Sequence, residues 1–374
     1  MQSLRTICAV LLIIVSGTAC VQPLPEDQDT PPEAVPVATG KPLIHGWIPH
    51  WEINAGIDTM ESYPLFASVS PVWYEVGAGG TLLPVGGDRD PLIRYSAQTE
   101  TQLIPSIASF DHNTFSSLAA TDEQLYAHAD AILAEVDRYG YDGIDLDYES
   151  VKLEDGPAYM TLIRTLAEEL HAREKLLSVT VLAKWGDQVA YGYRPETRAV
   201  QDWTEIAVHA DQLRIMTYDF TYQGATYPGP IAPESWVRAV TEYAIEKAPR
   251  EKLILGVPTY AYEWFQPQGS SETLLQFEPN GLTNPQSESG NARSYPFSTV
   301  ERILAEYPGE SVFFQGEHIY RYKRSGEDRV VVFTDPQGIL DRYRLAEEYG
   351  LAGISFWRLG EEGDLYSDLS SYLD

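Results

Sequence analysis

Tyr141-Asp142-Gly143-Ile144-Asp145-Leu146-Asp147-Tyr148-Glu149 is the stretch on which the interpretation of this chain turns. A strand sends successive side chains to opposite faces. Asp145, Asp147 and Glu149 therefore share one face, and Ile144, Leu146 and Tyr148 share the other. A face that apolar predicts packing against helices, which leaves three carboxylates pointing inward. Unpaired charges buried this close together are costly. Their pKa values are driven apart, and at least one carboxyl stays protonated near neutral pH, the condition a general acid needs. Glu149 comes last, at the C-terminal end of the strand, where barrel enzymes place their chemistry. Three other interpretations stand beside this one. A divalent-cation site is one, although calcium loops want a turn glycine and ligands on a loop rather than on alternate residues of an apolar strand. The others are a satisfied structural network and a sugar-binding protein without activity.

Outward from this strand the chain alternates. Runs rich in β-formers lie at 43–51, 68–76, 102–108, 143–148, 177–183, 212–218, 253–260 and 353–357. Amphipathic helical stretches lie at 122–139, 158–173, 200–207, 235–247 and 338–349. The strands read as rich in Val, Ile and Leu on both faces, as in a buried parallel sheet. Eight strands with helical crossovers predict an α/β fold, a (β/α)8 TIM barrel rather than an open doubly wound sheet. No Gly-rich dinucleotide fingerprint follows the first strand. The interval 260–338 is too long for one loop and one helix. It holds a helical stretch at 299–307, strand-like runs at 318–323 and 329–334, and Gly326-Glu327 as a hairpin turn. The barrel is thus expected over 43–265 and 337–374, with a small α+β insertion at 266–336 between strands seven and eight.

The 374 residues are 44% hydrophobic and 22% charged, enough to build a core and to exclude global disorder. Lys and Arg number 26 against 55 Asp and Glu, a net charge of −29. That balance argues against nucleic acid as a partner and against electrostatic docking on anionic lipid. The two cysteines, Cys8 and Cys20, both lie at the start, so the rest of the chain has no intramolecular disulfide and no thiolate metal site. Residues 1–5 carry one positive charge and 7–15 are apolar, the pattern of a signal segment. Ser16-Gly17-Thr18-Ala19-Cys20 resembles a bacterial lipobox. Residues 1–20 are then a lipoprotein signal peptide with Cys20 the lipidation site, and the Pro-rich 21–42 an extended tether. This predicts an exported protein held to the extracytoplasmic side of a membrane through Cys20 alone; plain secretion is the alternative.

Asp142-x-x-Asp145-x-Asp147-x-Glu149 resembles the DxxDxDxE signature of glycoside hydrolase family 18, the chitinase-like barrel enzymes, and sits on the fourth predicted strand as that family requires. Met216-Thr217-Tyr218-Asp219 is similar to the family's MxYD element, and Gly256-Val257-Pro258-Thr259-Tyr260 to its GxPxYG run. Trp357 stands where the family keeps a tryptophan floor. The resemblance covers 43–374. It implies that Glu149 protonates the glycosidic oxygen and that the substrate's own 2-acetamido carbonyl attacks the anomeric carbon, the substrate-assisted exception to two-carboxylate hydrolysis. It also implies that Asp147 orients the acetamido N–H, Asp145 shares a proton with Asp147, and Tyr218 and Asp219 hold the acetamido group. Trp357 would pack beneath the −1 sugar, with Met216, Trp51, Trp73, Tyr260, Tyr262 and Trp264 as further substrate contacts.

Independently of the resemblance, Trp51, Trp73, Trp185, Trp264 and Trp357 fall at or just after predicted C-terminal strand ends, and flat aromatic surfaces suit pyranose rings. The run Ser106-Ile107-Ala108-Ser109 replaces the Gly-rich element of many chitinases. Ala261-Tyr262-Glu263-Trp264 and Val72-Trp73-Tyr74 are closer to the cell-wall and spore-cortex branch. The expected activity is retaining hydrolysis of β-linked N-acetylglucosamine polymers, chitin oligomers or peptidoglycan glycan, by a monomer with no cofactor and no metal. The alternative is a non-catalytic glycan-binding lipoprotein on the same fold. Metabolic labelling tests the anchor: fatty acid should be incorporated into the wild type and be absent from Cys20→Ala, and an unlabelled wild type would point to secretion.

Overall fold

The computed structural model describes residues 40–225, 228–265 and 292–374. The signal segment, Cys20, the tether before residue 40 and residues 266–291 of the expected insertion lie outside the described residues.

Eight parallel strands close on themselves: β1 (Leu43–Pro49), β2 (Phe66–Val76), β3 (Ser106–Ser109), β4 (Gly143–Tyr148), β5 (Leu176–Leu182), β6 (Gln212–Met216), β7 (Leu253–Pro258) and β8 (Gly353–Trp357). Each pairs with its neighbour in sequence, and β8 returns to β1. This is the (β/α)8 barrel that the alternation predicted. The third predicted strand divides at Ile104-Pro105, where proline has no N–H to give the ladder. Helices that the sequence pattern did not mark follow the first three strands, at Ile53–Ser62, Asp90–Gln98 and His112–Leu118. The expected helix at 200–207 is two short ones, Pro195–Val200 and Trp203–His209, because Asp202 caps the second by accepting from the N–H groups of Thr204 and Glu205.

The helix Asp122–Tyr139 shows why local signals suffice where they agree. Thr121 caps it by accepting from the Gln124 N–H, Asp122 and Glu123 face the positive end of its dipole, and Gly140 ends it in the left-handed conformation. Its buried His128 bridges the Gly80 carbonyl and the Tyr148 hydroxyl, and burial pushes that imidazole down to about 4.

Most strand faces alternate rather than being apolar on both sides; β7, with Leu253, Ile254 and Leu255 buried in succession, keeps the expected pattern. Outward residues such as Ile144, Leu146, Val179, Val181, Leu213 and Ile215 are fully buried beneath the helices. The inner face carries His45, Ser68, Ser70, Ser106, Asp145, Ser178, Thr180, Arg214 and Ser355, all nearly or completely buried. Barrel interiors usually hold layers of branched aliphatics. Here the space holds one arginine, one tryptophan, His45, Asp145 and small hydroxyls.

The insertion is a five-stranded antiparallel sheet in the order Arg293–Pro296, Tyr260–Phe265, Glu327–Phe333, Glu317–Arg324 and Gly309–Phe314, with the helix Phe297–Glu306. Its second strand comes from before residue 266, so Tyr260–Phe265 pairs with this sheet and not with the barrel. The hairpin turn is Ser325-Gly326, one residue earlier than expected. Arg324 pairs with Glu327, and both turn residues have the positive φ that a two-residue turn demands.

Gly143 opens β4 under close constraint: a Cβ there would lie 2.4 Å from the Leu176 carbonyl oxygen, a backbone atom that cannot rotate away. Gly143→Ala should therefore lower stability by about 1–3 kcal/mol, the range for overpacking, read as a fall in the denaturation midpoint.

Candidate active site

The inward face of β4 carries its carboxylates up to the barrel mouth. Asp145 is fully buried at the centre. Its Oδ2 accepts from Trp47 Nε1 at 3.0 Å and Ser106 Oγ at 2.7 Å, and its Oδ1 from Ser178 Oγ at 2.7 Å and Thr180 Oγ1 at 2.9 Å. Four donors from three other strands satisfy both oxygens. Asp147, two residues on, is treated differently. Its Oδ1 is buried with no hydrogen-bond partner. Burial, then Glu149 and then Asp145 push its carboxyl well above the usual range, against the pull of Arg194. An upward shift is the direction that the crowding of three carboxylates implied.

Glu149 stands just past the strand end, held by its N–H to the Ser109 carbonyl at 2.9 Å. Burial raises its carboxyl, and Asp219 adds to the rise, while Arg194 and Arg198 lower it. Arg194 Nη1 lies 3.4 Å from Glu149 Oε2 and also donates to the Glu149 carbonyl. Arg194 itself adopts the left-handed conformation before the helix Pro195–Val200. Neither arginine was singled out from sequence, since nothing local in Tyr193-Arg194-Pro195 marks proximity to residue 149. Asp142, of opposite parity, accepts from the Leu103 N–H at 2.8 Å outside the site.

The end of β6 supplies Tyr218 and Asp219. A Cβ at Gly256 would come 2.7 Å from the Tyr218 ring, so glycine on β7 is what lets the tyrosine lie there. Burial and then Asp147 push the Tyr218 hydroxyl far up, so it stays a neutral donor. Asp219, with positive φ, accepts from the hydroxyls of Tyr260 and Tyr262, the latter at 2.9 Å. Burial raises its carboxyl, and those two hydroxyls oppose the rise.

These groups open into a cavity of about 500 Å³. Asp147, Glu149, Met216, Tyr218, Asp219 and Trp357 line it. Trp47, Trp185, Phe220 and Trp236 add aromatic walls. Trp357 meets Trp47 edge to face at 6.2 Å, and Trp185 meets Trp236 at 5.7 Å. Tyr260 and Tyr262 reach the site through Asp219. The other expected contacts lie elsewhere. Trp73 is buried in the core beside Tyr141, under Arg89. Trp264 is buried in the insertion, donating to the Ala225 carbonyl at 2.8 Å. Trp51 is 66% exposed, against His50. A strand-end position alone does not say which way a ring turns. Trp47 was hidden by its place inside β1, and Trp236 by lying on a helix; the inward parity that Trp47 shares with His45 on β1 was the available signal for the first. Among the described residues no three His, Cys, Asp or Glu side chains gather so as to hold a metal ion.

Compared with known proteins, the model of glycosyl hydrolases family 18 matches residues 91–362. A cortical fragment-lytic enzyme of Bacillus subtilis (strain 168) is 27% identical over 309 residues, 80% of this chain and 66% of that protein. The chain spans about half to two thirds of the length of several curated relatives it matches. The crystal structure of a chitinase from Chromobacterium violaceum ATCC 12472 superposes with a TM-score of 0.75 at 19% identity, covering 89% of this chain and 99% of that one. That of the Bacillus cereus spore cortex-lytic enzyme SleL gives 0.75 at 20% identity, covering 88% and 74%. At these identities the two structures establish the shared fold alone.

The Arg194 ion pair can be tested directly. A neighbouring cation favours the ionised carboxylate, so Arg194→Met should shift the Glu149 carboxyl to titrate at higher pH. Infrared difference spectra of the C=O band against Glu149→Gln would read the shift, and an unchanged midpoint would show the pair to be electrostatically idle.

Proposed function

The chain belongs to the glycosyl hydrolases of family 18, and on that premise we propose that it hydrolyses β-linked N-acetylglucosamine polymers with retention, by substrate-assisted catalysis. The observation that carries this reading is the graded set of carboxylates on one strand face. It runs from the saturated Asp145 through the partnerless Asp147 to Glu149 in an aromatic-walled cavity.

Glu149 is the general acid. Its raised carboxyl supports the role, since an acid must hold its proton at working pH. In the free protein Arg194 competes for the charged form, so the incoming sugar must loosen that pair before the proton can move. Glu149 then protonates the glycosidic oxygen as the acetamido carbonyl oxygen attacks the anomeric carbon and the leaving sugar departs. Asp147 accepts from the acetamido N–H with the oxygen that lacks a partner, and Tyr218 donates to the acetamido oxygen. Charge develops on the acetamido group as it closes onto carbon, and Asp147 offsets that charge once the proton it shares with Asp145 has passed to Asp145. Glu149, now a carboxylate, takes a proton from the water that opens the oxazolinium ring. Trp357 lies beneath the −1 sugar. The names of the relatives span spore cortex and chitin, and both are polymers of this class. Separately, the lipobox-like Ser16-Gly17-Thr18-Ala19-Cys20 supports an anchor through Cys20.

The test is turnover of a chromogenic N-acetylglucosamine oligomer. Glu149→Gln should fold and lose about 10²- to 10⁴-fold in rate, the usual size of a general-acid contribution. An analogue with glucose at the −1 position should be inert, since it has no acetamido oxygen. Rapid cleavage of that analogue would overturn substrate assistance. Retained glycan binding with no turnover by the wild type would favour the non-catalytic alternative.

A further inference from the structure

The acid at the barrel mouth is paired with a cation that it holds loosely. Arg194 Nη1 lies 3.4 Å from Glu149 Oε2, longer than the ~2.7–2.9 Å of a charge-assisted hydrogen bond. Arg194 also donates to the Glu149 carbonyl, and its Cζ stands 5.0 Å from the Tyr193 ring centroid. The segment that carries it is tied down on both sides. The Tyr191 hydroxyl accepts from the Trp185 N–H at 2.9 Å and donates to the Gly186 carbonyl at 2.8 Å. Arg198 Nε donates to the Ala183 carbonyl at 2.9 Å, and its Nη1 to the Tyr193 carbonyl. Arg198 thus serves the backbone, whereas Arg194 has the carboxylate of Glu149 as its partner.

The proposed chemistry fixes which sugar meets this arginine. Trp357 lies beneath the −1 sugar on β8, which stands across the barrel from β4. The leaving sugar therefore lies beyond Glu149, on the side of β3 and β5. Phe110, just after β3, and Tyr193, just before Arg194, line the cavity there with Glu149 and are 52% and 51% exposed. Open aromatic rings suit a sugar face. In a polymer of N-acetylglucosamine alone, the leaving sugar is neutral and offers Arg194 only hydroxyls in exchange for Glu149. In peptidoglycan glycan that sugar carries a 3-O-lactyl ether. O3 sits on the carbon next to the one bearing O4, the leaving oxygen, so the lactyl carboxyl hangs beside the atom that Glu149 protonates. A carboxylate there gives the guanidinium a planar, bidentate partner. One carboxylate replaces another, and no charge is left unpaired. Glu149, relieved of its cation, keeps its proton more readily. The net charge of −29 repels such a polymer from afar, but exposed charges more than about 8–10 Å away are largely screened at physiological salt.

We propose that Arg194 is a specificity-determining residue that exchanges Glu149 for the free lactyl carboxylate of the sugar leaving from the +1 position. The proposal rests on the family 18 reading and narrows its substrate to glycan in which N-acetylglucosamine alternates with N-acetylmuramic acid. It also orders the reactions. In intact peptidoglycan the lactyl carboxyl is amide-linked to a peptide and carries no charge. Hydrolysis of that amide must come first, so this enzyme acts after an amide hydrolase, on glycan already stripped of peptide.

The test compares kcat/KM on three tetrasaccharides. One alternates N-acetylglucosamine with N-acetylmuramic acid and has its lactyl carboxylates free. The second is the same molecule with each carboxyl converted to its methylamide, and the third is the N-acetylglucosamine tetramer. The wild type should favour the free acid over the methylamide by about ten- to a hundredfold, the range for hydrogen bonds to a charged group. In Arg194→Met that preference should fall to about threefold or less, below that range, and Arg194→Lys should keep part of it. An arginine that only tunes Glu149 would move all three substrates together and leave the ratio where it was. Equal wild-type rates on the acid and the methylamide, or an undiminished acid preference in Arg194→Met, overturn the proposal. The wild-type comparison decides on its own should the variants fail to fold. Cleavage of the N-acetylglucosamine tetramer without cleavage of the free acid would overturn this inference and leave the proposed function standing. A wild type that cleaves none of the three would sink the proposed function. Calorimetric binding of the acid and the methylamide to wild type and Arg194→Met would then still decide the recognition.

Discussion

A carboxylate sits at the centre of this barrel, and the surrounding strands are built to tolerate it. Burying an ion costs several kcal/mol even after relaxation. Each hydrogen bond to a charged group contributes about 1.5–3 kcal/mol, so four of them are of the size needed to offset that cost. Asp145 receives them from β1, β3 and β5, from Trp47, Ser106, Ser178 and Thr180. This requirement accounts for the departure from an aliphatic interior: hydroxyl side chains stand where a barrel would ordinarily hold valine and isoleucine.

From that fixed point the environment of β4 opens by degrees. One pleat toward the mouth, Asp147 is still surrounded but is left with an oxygen unmet. A further pleat on, Glu149 reaches a cavity and a cation on a loop. The same functional group thus occurs in three settings within five residues: hydrogen-bond saturated, desolvated, and ion-paired at the rim. Differences of setting rather than of residue type separate the protonation states of neighbouring carboxyls. A single strand can carry that gradient because its inward residues lie two apart and climb the barrel axis.

The second sheet enters the site through two tyrosine hydroxyls and an apolar cluster. Tyr260 and Tyr262 belong to the insertion, and their hydroxyls hold Asp219 at the end of β6. The insertion's apolar cluster, with Ile319, Val330 and Val332, packs against Tyr218 and Trp357. The wall of the cavity is therefore shared between the barrel and a sheet that begins immediately after β7.

The carboxylate strand, the barrel and the MxYD element were legible in the sequence because each is a local pattern. Period-two alternation assigned Asp145, Asp147 and Glu149 to one face without reference to anything distant, and amphipathic spacing outlined the helix Asp122–Tyr139. The rest depended on partners far apart in the chain. Arg194 meets Glu149 across 45 positions and Arg214 meets Ser68 across 146, and no spacing rule connects such residues. The direction of a tryptophan ring is likewise set by whatever packs beside it, which is why Trp73 and Trp264 turn into cores while Trp47 and Trp236 face the cavity. Local periodicity determined which side chains point inward; closure of the barrel decided what each of them meets there, because only closure brings the inner faces of β1, β3 and β5 within hydrogen-bonding reach of one carboxylate.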